Sequence, residues 1–129
     1  MQYALLIYED ETFWNRIPPQ ELGEMMAGYQ RFGEEVGDRG RGGEALHPTA
    51  TATTVRVRDG ERLLTDGPFA ETREQLGGFY IVEAGSLDEA IELAAKIPGA
   101  ATGCVEVRPT MAFDANGSPV PLDTAQAAS

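Results

Sequence analysis

The sequence predicts an α+β fold, a ferredoxin-like sandwich, on three observations. Two stretches carry apolar residues at helical spacing, strand-like runs flank each of them, and an Asp-Gly turn between β-prone segments lies between the two halves. The order is strand, helix, strand, hairpin, strand, helix, strand. It describes two βαβ-like units with an inserted antiparallel β-hairpin. A chain of 129 residues fits one such domain.

The first strand is "QYALLIY" (2–8), apolar on both faces, as a central strand covered on two sides requires. The acidic loop "EDETFWNRIPP" follows, where Phe13 and Trp14 are expected to fold back over a core edge. A helix then begins near Pro19, with Leu22, Met25, Met26, Tyr29, Phe32 and Val36 forming one stripe. Gly23, Gly28, Gly33 and Gly37 weaken it by about 1 kcal/mol each, so packing has to hold it. "DRGRGGE" ends this helix, and its arginines complement the helix dipole. Residues 44–67 are extended. Pro48 interrupts strand pairing there, and "RDGE" turns "TTVRV" back onto "RLLT".

"GGFYIVE" (77–83) is a strand with Phe79 and Ile81 on one side and Tyr80 and Val82 on the other. The second helix, "SLDEAIELAAKIP", opens with a capping box, Ser86 and Glu89, and closes at Pro98. Its inward face is expected to be Leu87, Ala90, Ile91, Ala94 and Ile97. The last strand, "CVEVRPTM", sets Val105 and Val107 against Cys104, Glu106 and Arg108. From Asp114 the chain loses periodicity, so residues 114–129 are read as a flexible C-terminal tail and 1–113 as the domain.

Two helices cover one face of such a sheet. The other face, with Tyr8, Tyr80 and Val82 as expected members, is left apolar and bare, and a homodimer is expected to cover it.

The charge balance excludes some functions. With 21 acidic and 10 basic residues, the net charge of −11 repels phosphate backbones and anionic lipid. No nucleic-acid or membrane partner is expected. The acidic N-terminal stretch is unlike a signal peptide, so the expected location is cytoplasmic. The one cysteine, Cys104, is expected to be a small buried hydrophobe. One His and one Cys leave little for a metal site, and no phosphate loop or dinucleotide turn is present, so no metal or cofactor is expected.

The unusual residues gather in "TDGPFAETREQLGGFY" (65–80). Asp66 follows a strand directly, where an Asp accepts backbone hydrogen bonds or stands as a general base at a cleft rim. His47 is the only side chain that ordinarily titrates near neutrality. Phe69 is a plug for the turn or a lid, and Glu71 belongs to a charged cluster beside it. Arg73 or Arg108 suits an anionic ligand group, and Tyr8 is expected at the same cleft. Gly77 and Gly78 allow close backbone approach, by a strand or by a ligand.

"ATATTVRVRDGERLLTDGPFAETREQLGGFYIVE", "SLDEAIELAAKIP" and "VEVRPTM" closely resemble the YCII-related family in its DGPF-domain branch, and the likeness runs over about residues 1–111. The resemblance implies a dimeric α+β-barrel architecture and an active-site cleft, with a His–Asp pair in some members. Asp66 matches the Asp of the motif. The shorter branch carries its His near the first helix, where this chain has "ELGEMMAGY"; its only His is His47. A homodimeric small-molecule-binding protein is therefore expected, of unassigned activity or acting as a cofactor-independent lyase or isomerase. The alternative that the resemblance implies is a non-catalytic partner in sigma-factor regulation of the extracytoplasmic-function type.

Overall fold

The computed structural model describes residues 1–122. Its strands are β1 (Gln2–Glu9), β2 (Gly40–Ala45), β3 (Thr53–Arg58), β4 (Glu61–Asp66), β5 (Gln75–Glu83) and β6 (Cys104–Pro109). Its helices are α1 (Phe13–Arg16), α2 (Pro19–Val36), α3 (Leu87–Ala95) and α4 (Gly99–Thr102). A four-stranded antiparallel sheet has the order β2-β5-β1-β6, and β3 and β4 form a separate two-stranded sheet. This α+β arrangement is compatible with a ferredoxin-like fold.

Alternation along β1 decides where the core lies. Tyr3, Leu5 and Ile7 are buried, with Glu9 in phase with them, and they meet Phe32 and Val36 of α2 and Ala90, Leu93 and Ala94 of α3. Ala4, Leu6 and Tyr8 take the opposite face. Pairing carries this division across the sheet: Leu5 lies opposite Tyr80 and Val107, and Tyr3 opposite Val82. Tyr80 and Val82 therefore belong to the helix-covered core, not to the open face, and the Tyr80 ring packs on Phe32 at 4.8 Å. The open face carries Ala4, Leu6, Tyr8, Phe79, Ile81 and the outward side chains of β6.

Three other expectations are corrected. "GRGGEA" is a strand rather than a helix terminus, because β5 offers it an unpaired edge. The close approach suits only glycine: a Cβ on Gly43 (φ 153°) would stand 2.5 Å from the Phe79 carbonyl oxygen. On α3 the inward residue is Leu93, and Ile91 faces outward, because the buried set steps through Ala90, Leu93, Ala94 and Ile97. Cys104 is exposed, since β6 is a sheet edge and its first residue points away from the helices. Around the start of the expected tail, Val120 donates to the Ala112 carbonyl and Phe113 bridges Pro119, closing a small hairpin. The remainder of that expectation, residues 123–129, lies outside the described residues.

Other local expectations match the geometry. The Ser86 hydroxyl accepts from the Glu89 amide at 3.1 Å, and the Glu89 carboxylate accepts from Gly85 at 2.8 Å. Arg39 donates to the Glu35 and Val36 carbonyls at the end of α2. Asp59 and Gly60, at φ 51° and 78°, make the mirror-image turn whose twist suits two antiparallel strands. Among the described residues no helix is long and apolar enough to cross a membrane.

Candidate functional site

A half-open cavity of about 830 Å³ lies beyond the core, on the helix-covered side. Its walls come from the end of β1, α1, the middle of α2, β2 with the loop after it, and the start of β5. Several sequence features build it. The Asp10 carboxylate accepts from the Thr12 amide at 2.9 Å and from the Thr12 hydroxyl at 2.7 Å, turning the chain into α1. These bonds hold the Asp10 carboxyl below its ordinary range. Phe13 meets Trp14 edge-on at 5.6 Å, and Trp14 lines the cavity. Phe13 and Trp14 thus form a helical turn, with Trp14 at the cavity wall, rather than a loop over the core edge.

The opposite wall is tied to this one through Glu11. Its carboxylate accepts from the Thr49 amide and hydroxyl, at 2.5 and 2.9 Å, and its own amide donates to Gln75 at 2.9 Å. The segment bearing Leu46, His47 and Pro48 is thereby fixed against α1 and β5. The ladder between β1 and β5 shifts register at Ile7–Tyr8, which leaves Gly77 unpaired opposite β1. Gly77 and Gly78 both line the cavity, and a Cβ on Gly78 would stand 2.9 Å from the Glu44 carbonyl. The double glycine serves both roles its position allows, close strand pairing and an unfilled wall.

Glu9 forms the inner wall. It is only 6% exposed and is the one buried charged residue among those described. The Thr102 hydroxyl donates to its Oε2 at 2.8 Å, while Oε1 has no hydrogen-bond partner among the described residues. Burial pushes the Glu9 carboxyl above its ordinary value, the Thr102 bond opposes this, and the nearby Glu74 carboxylate adds to it. Tyr29 stands beside Glu9, and burial pushes its phenol up to about 12. Gly99 makes room for both: a Cβ there would lie 3.0 Å from the Tyr29 oxygen and 3.4 Å from Glu9 Oε1. A buried carboxyl and a half-buried phenol in a mainly apolar cavity can anchor a polar group, or hold and move a proton.

Of the side chains expected at a site, His47 lines this cavity, at its exposed rim. Tyr8 and Arg108 stand on the open sheet face, where the Tyr8 hydroxyl reaches Glu106 at 3.5 Å. Asp66 ends β4 beside Thr53, and Gly67 after it (φ 94°) donates to the Ala52 carbonyl at 2.7 Å. Phe69 is 78% exposed, and Glu71 and Arg73 are exposed in the same loop. These residues do not line the cavity. The exposed Cys104 thiol is pushed up by partial burial and by Glu74 and Glu106, which opposes thiolate chemistry. Among the described residues no cluster of three or more His, Cys, Asp or Glu is placed to hold a metal ion.

Glu9 and Tyr29 were not legible as site residues. Glu9 ends a strand as an acidic loop begins, and Tyr29 reads as one more member of an amphipathic stripe. The available signal was phase, because Glu9 continues the alternation of Tyr3, Leu5 and Ile7.

Fold and cavity together define an α+β sandwich protein with room for a small molecule beside its sheet. The family model of the YCII-related domain matches residues 1–114, and the chain belongs to that family. It is similar to an uncharacterized protein of Rhizobium meliloti (strain 1021), at 41% identity over 114 residues, covering 84% of this chain and 91% of the relative.

Proposed function

We propose that this protein is a homodimeric, cytoplasmic small-molecule-binding protein of the DGPF branch, acting as a cofactor-independent lyase or isomerase. The observation that carries the reading is Glu9, a buried carboxyl of raised pKa at a ligand-sized cavity, with one oxygen unpartnered among the described residues. Glu9 at the inner wall and His47 at the rim are two groups of different environment facing one space. One anchors the ligand while the other takes a proton from a C–H bond. The electron pair released either shifts a double bond, with the proton returned elsewhere, or expels a leaving group. Neither outcome needs an external oxidant or reductant.

A cleft formed on dimerisation is the competing location within this reading. It would be walled by Asp66, Phe69, Glu71 and Arg73, all exposed in the single chain, with Tyr8 and Arg108 on the open sheet face. A thermal-shift panel of small acids, phenols and amines separates the two. At saturating ligand, a binder is expected to raise Tm by a few degrees, on the order of 2–4 °C or more. Trp14→Ala should abolish that shift and Asp66→Ala should leave it. The reverse pattern relocates the site to the loop, and a panel with no shift removes the small-molecule reading.

One observation favours a second reading, the non-catalytic partner of a sigma factor. The β3–β4 ribbon exposes Val55, Val57, Leu63 and Leu64, apolar surface suited to a protein partner. Mixing with a purified extracytoplasmic-function sigma factor, followed by gel filtration, tests it; separate elution rejects it.

A further inference from the structure

The cavity's lining is one-sided in charge. Its residues include Glu9, Glu11 and Glu44, and none is lysine or arginine. Of these carboxylates, Glu11 is occupied by Thr49 through both oxygens. Glu44 pairs with Phe79, one residue out of phase with Gly43. Glu9 is different. It is more than nine-tenths buried, its Oε2 is held by Thr102, and its Oε1, beside Tyr29, is unpartnered among the described residues. The aromatic residues Trp14, Tyr29 and Tyr80 line the same space.

An anion entering this cavity would meet a buried carboxyl with no cation to offset it. An ammonium group meets the opposite: a carboxylate oxygen for a charge-assisted hydrogen bond, and aromatic faces whose quadrupole attracts a cation. The rest of the lining, including Ile7, Met26, Leu46 and Pro48, suits an apolar body attached to that group. We infer that the cavity takes a small organic amine in its ammonium form, with Glu9 Oε1 as the anchor and Trp14 and Tyr29 as walls. This rests on the cavity being the ligand site. It reverses the expectation of an anionic ligand held by Arg73 or Arg108, and it leaves His47 as the group free to move a proton.

Isothermal titration of the full chain near neutral pH with three probes of one shape tests it: phenethylamine, 2-phenylethanol and phenylacetate. Phenethylamine is expected to bind about tenfold or more tighter than the alcohol, the factor one charge-assisted bond supplies. Phenylacetate should bind weakest. Glu9→Gln, which keeps an acceptor for Thr102, should bring amine and alcohol to within about twofold of each other. A preference for phenylacetate, or equal binding of amine and alcohol by the wild type, overturns the ammonium assignment and leaves the cavity as a ligand site. An amine preference that survives Glu9→Gln overturns the anchor. Failure of all three probes to bind overturns the inference, while the broader panel on Trp14→Ala decides separately whether the cavity binds anything. The comparison of probes on the wild type needs no variant to fold.

Discussion

Two buried polar side chains show how much depends on a single partner. The Tyr3 ring is fully buried, and its hydroxyl is the one fully enclosed side-chain oxygen or nitrogen left without a partner among the described residues, whereas Glu9 lines the cavity. Burying a hydroxyl unpaired costs on the order of 1–3 kcal/mol. Tyr3→Phe keeps the ring and removes that cost, so it is expected to stabilise the fold by about 1 kcal/mol, read from the urea midpoint. A destabilised variant would show that the hydroxyl is satisfied. Glu9 poses the same problem with a charge. Its carboxyl is raised above 4.5 in the folded chain, so the folded state binds that proton more tightly than the unfolded one. The favourable contribution is complete below about 4.5 and is lost as pH rises through the raised value. Wild type should therefore lose stability relative to Glu9→Gln across that window. A Tm difference that stays flat between about pH 4 and pH 8 contradicts the buried carboxyl.

At the scale of elements, the two long helices differ in how they are secured. α3 has its own start signal, the Ser86–Glu89 capping box, and a tight inward stripe. α2 has Pro18 at its N-cap with no side-chain bond, and three glycines along its length. Its C-terminus is instead tied to α3: Arg39 pairs with Glu89 at 3.0 Å, and Lys96 pairs with Glu35. Such partly exposed pairs contribute little by themselves, so the Phe32 and Val36 contacts carry the packing. Ser86→Ala is expected to cost about 1 kcal/mol, measured by chemical denaturation. A loss below about 0.3 kcal/mol would mean that Glu89 alone holds this start. These signals were legible because capping and helical spacing are local. β2 was not legible, because "GRGGEA" has little intrinsic preference for a strand and pairs only where β5 presents an edge.

For the molecule as a whole, one sheet face is covered by helices and the other carries Leu6, Phe79 and Ile81. In the homodimer we propose, that face meets a second copy. Ile81→Asp would place a charge there without touching the helix-side core. Sedimentation is expected to show a dimer for the wild type and a folded monomer for the variant, at micromolar protein. A wild type that sediments as a monomer removes the dimer. The net charge of −11 on so small a chain also opposes association at low salt, so the dimer should tighten as ionic strength rises.

Sequence alone determined the class of fold, the positions of both long helices and the turn at Asp59–Gly60. Each depends on residues within a few positions of one another. The family was also legible, since the stretch from Ala50 to Glu83 identifies it without coordinates. Tertiary structure decided the rest. Which side of β5 is core follows from its register with β1, so Tyr80 and Val82 moved inward. Which charged residue is buried follows from phase along β1 and from Gly99 across the chain, so Glu9 and not Asp66 stands at the cavity. Alternation says only that two faces differ; the pairing of distant strands and the helices packed on one side decide which face meets water.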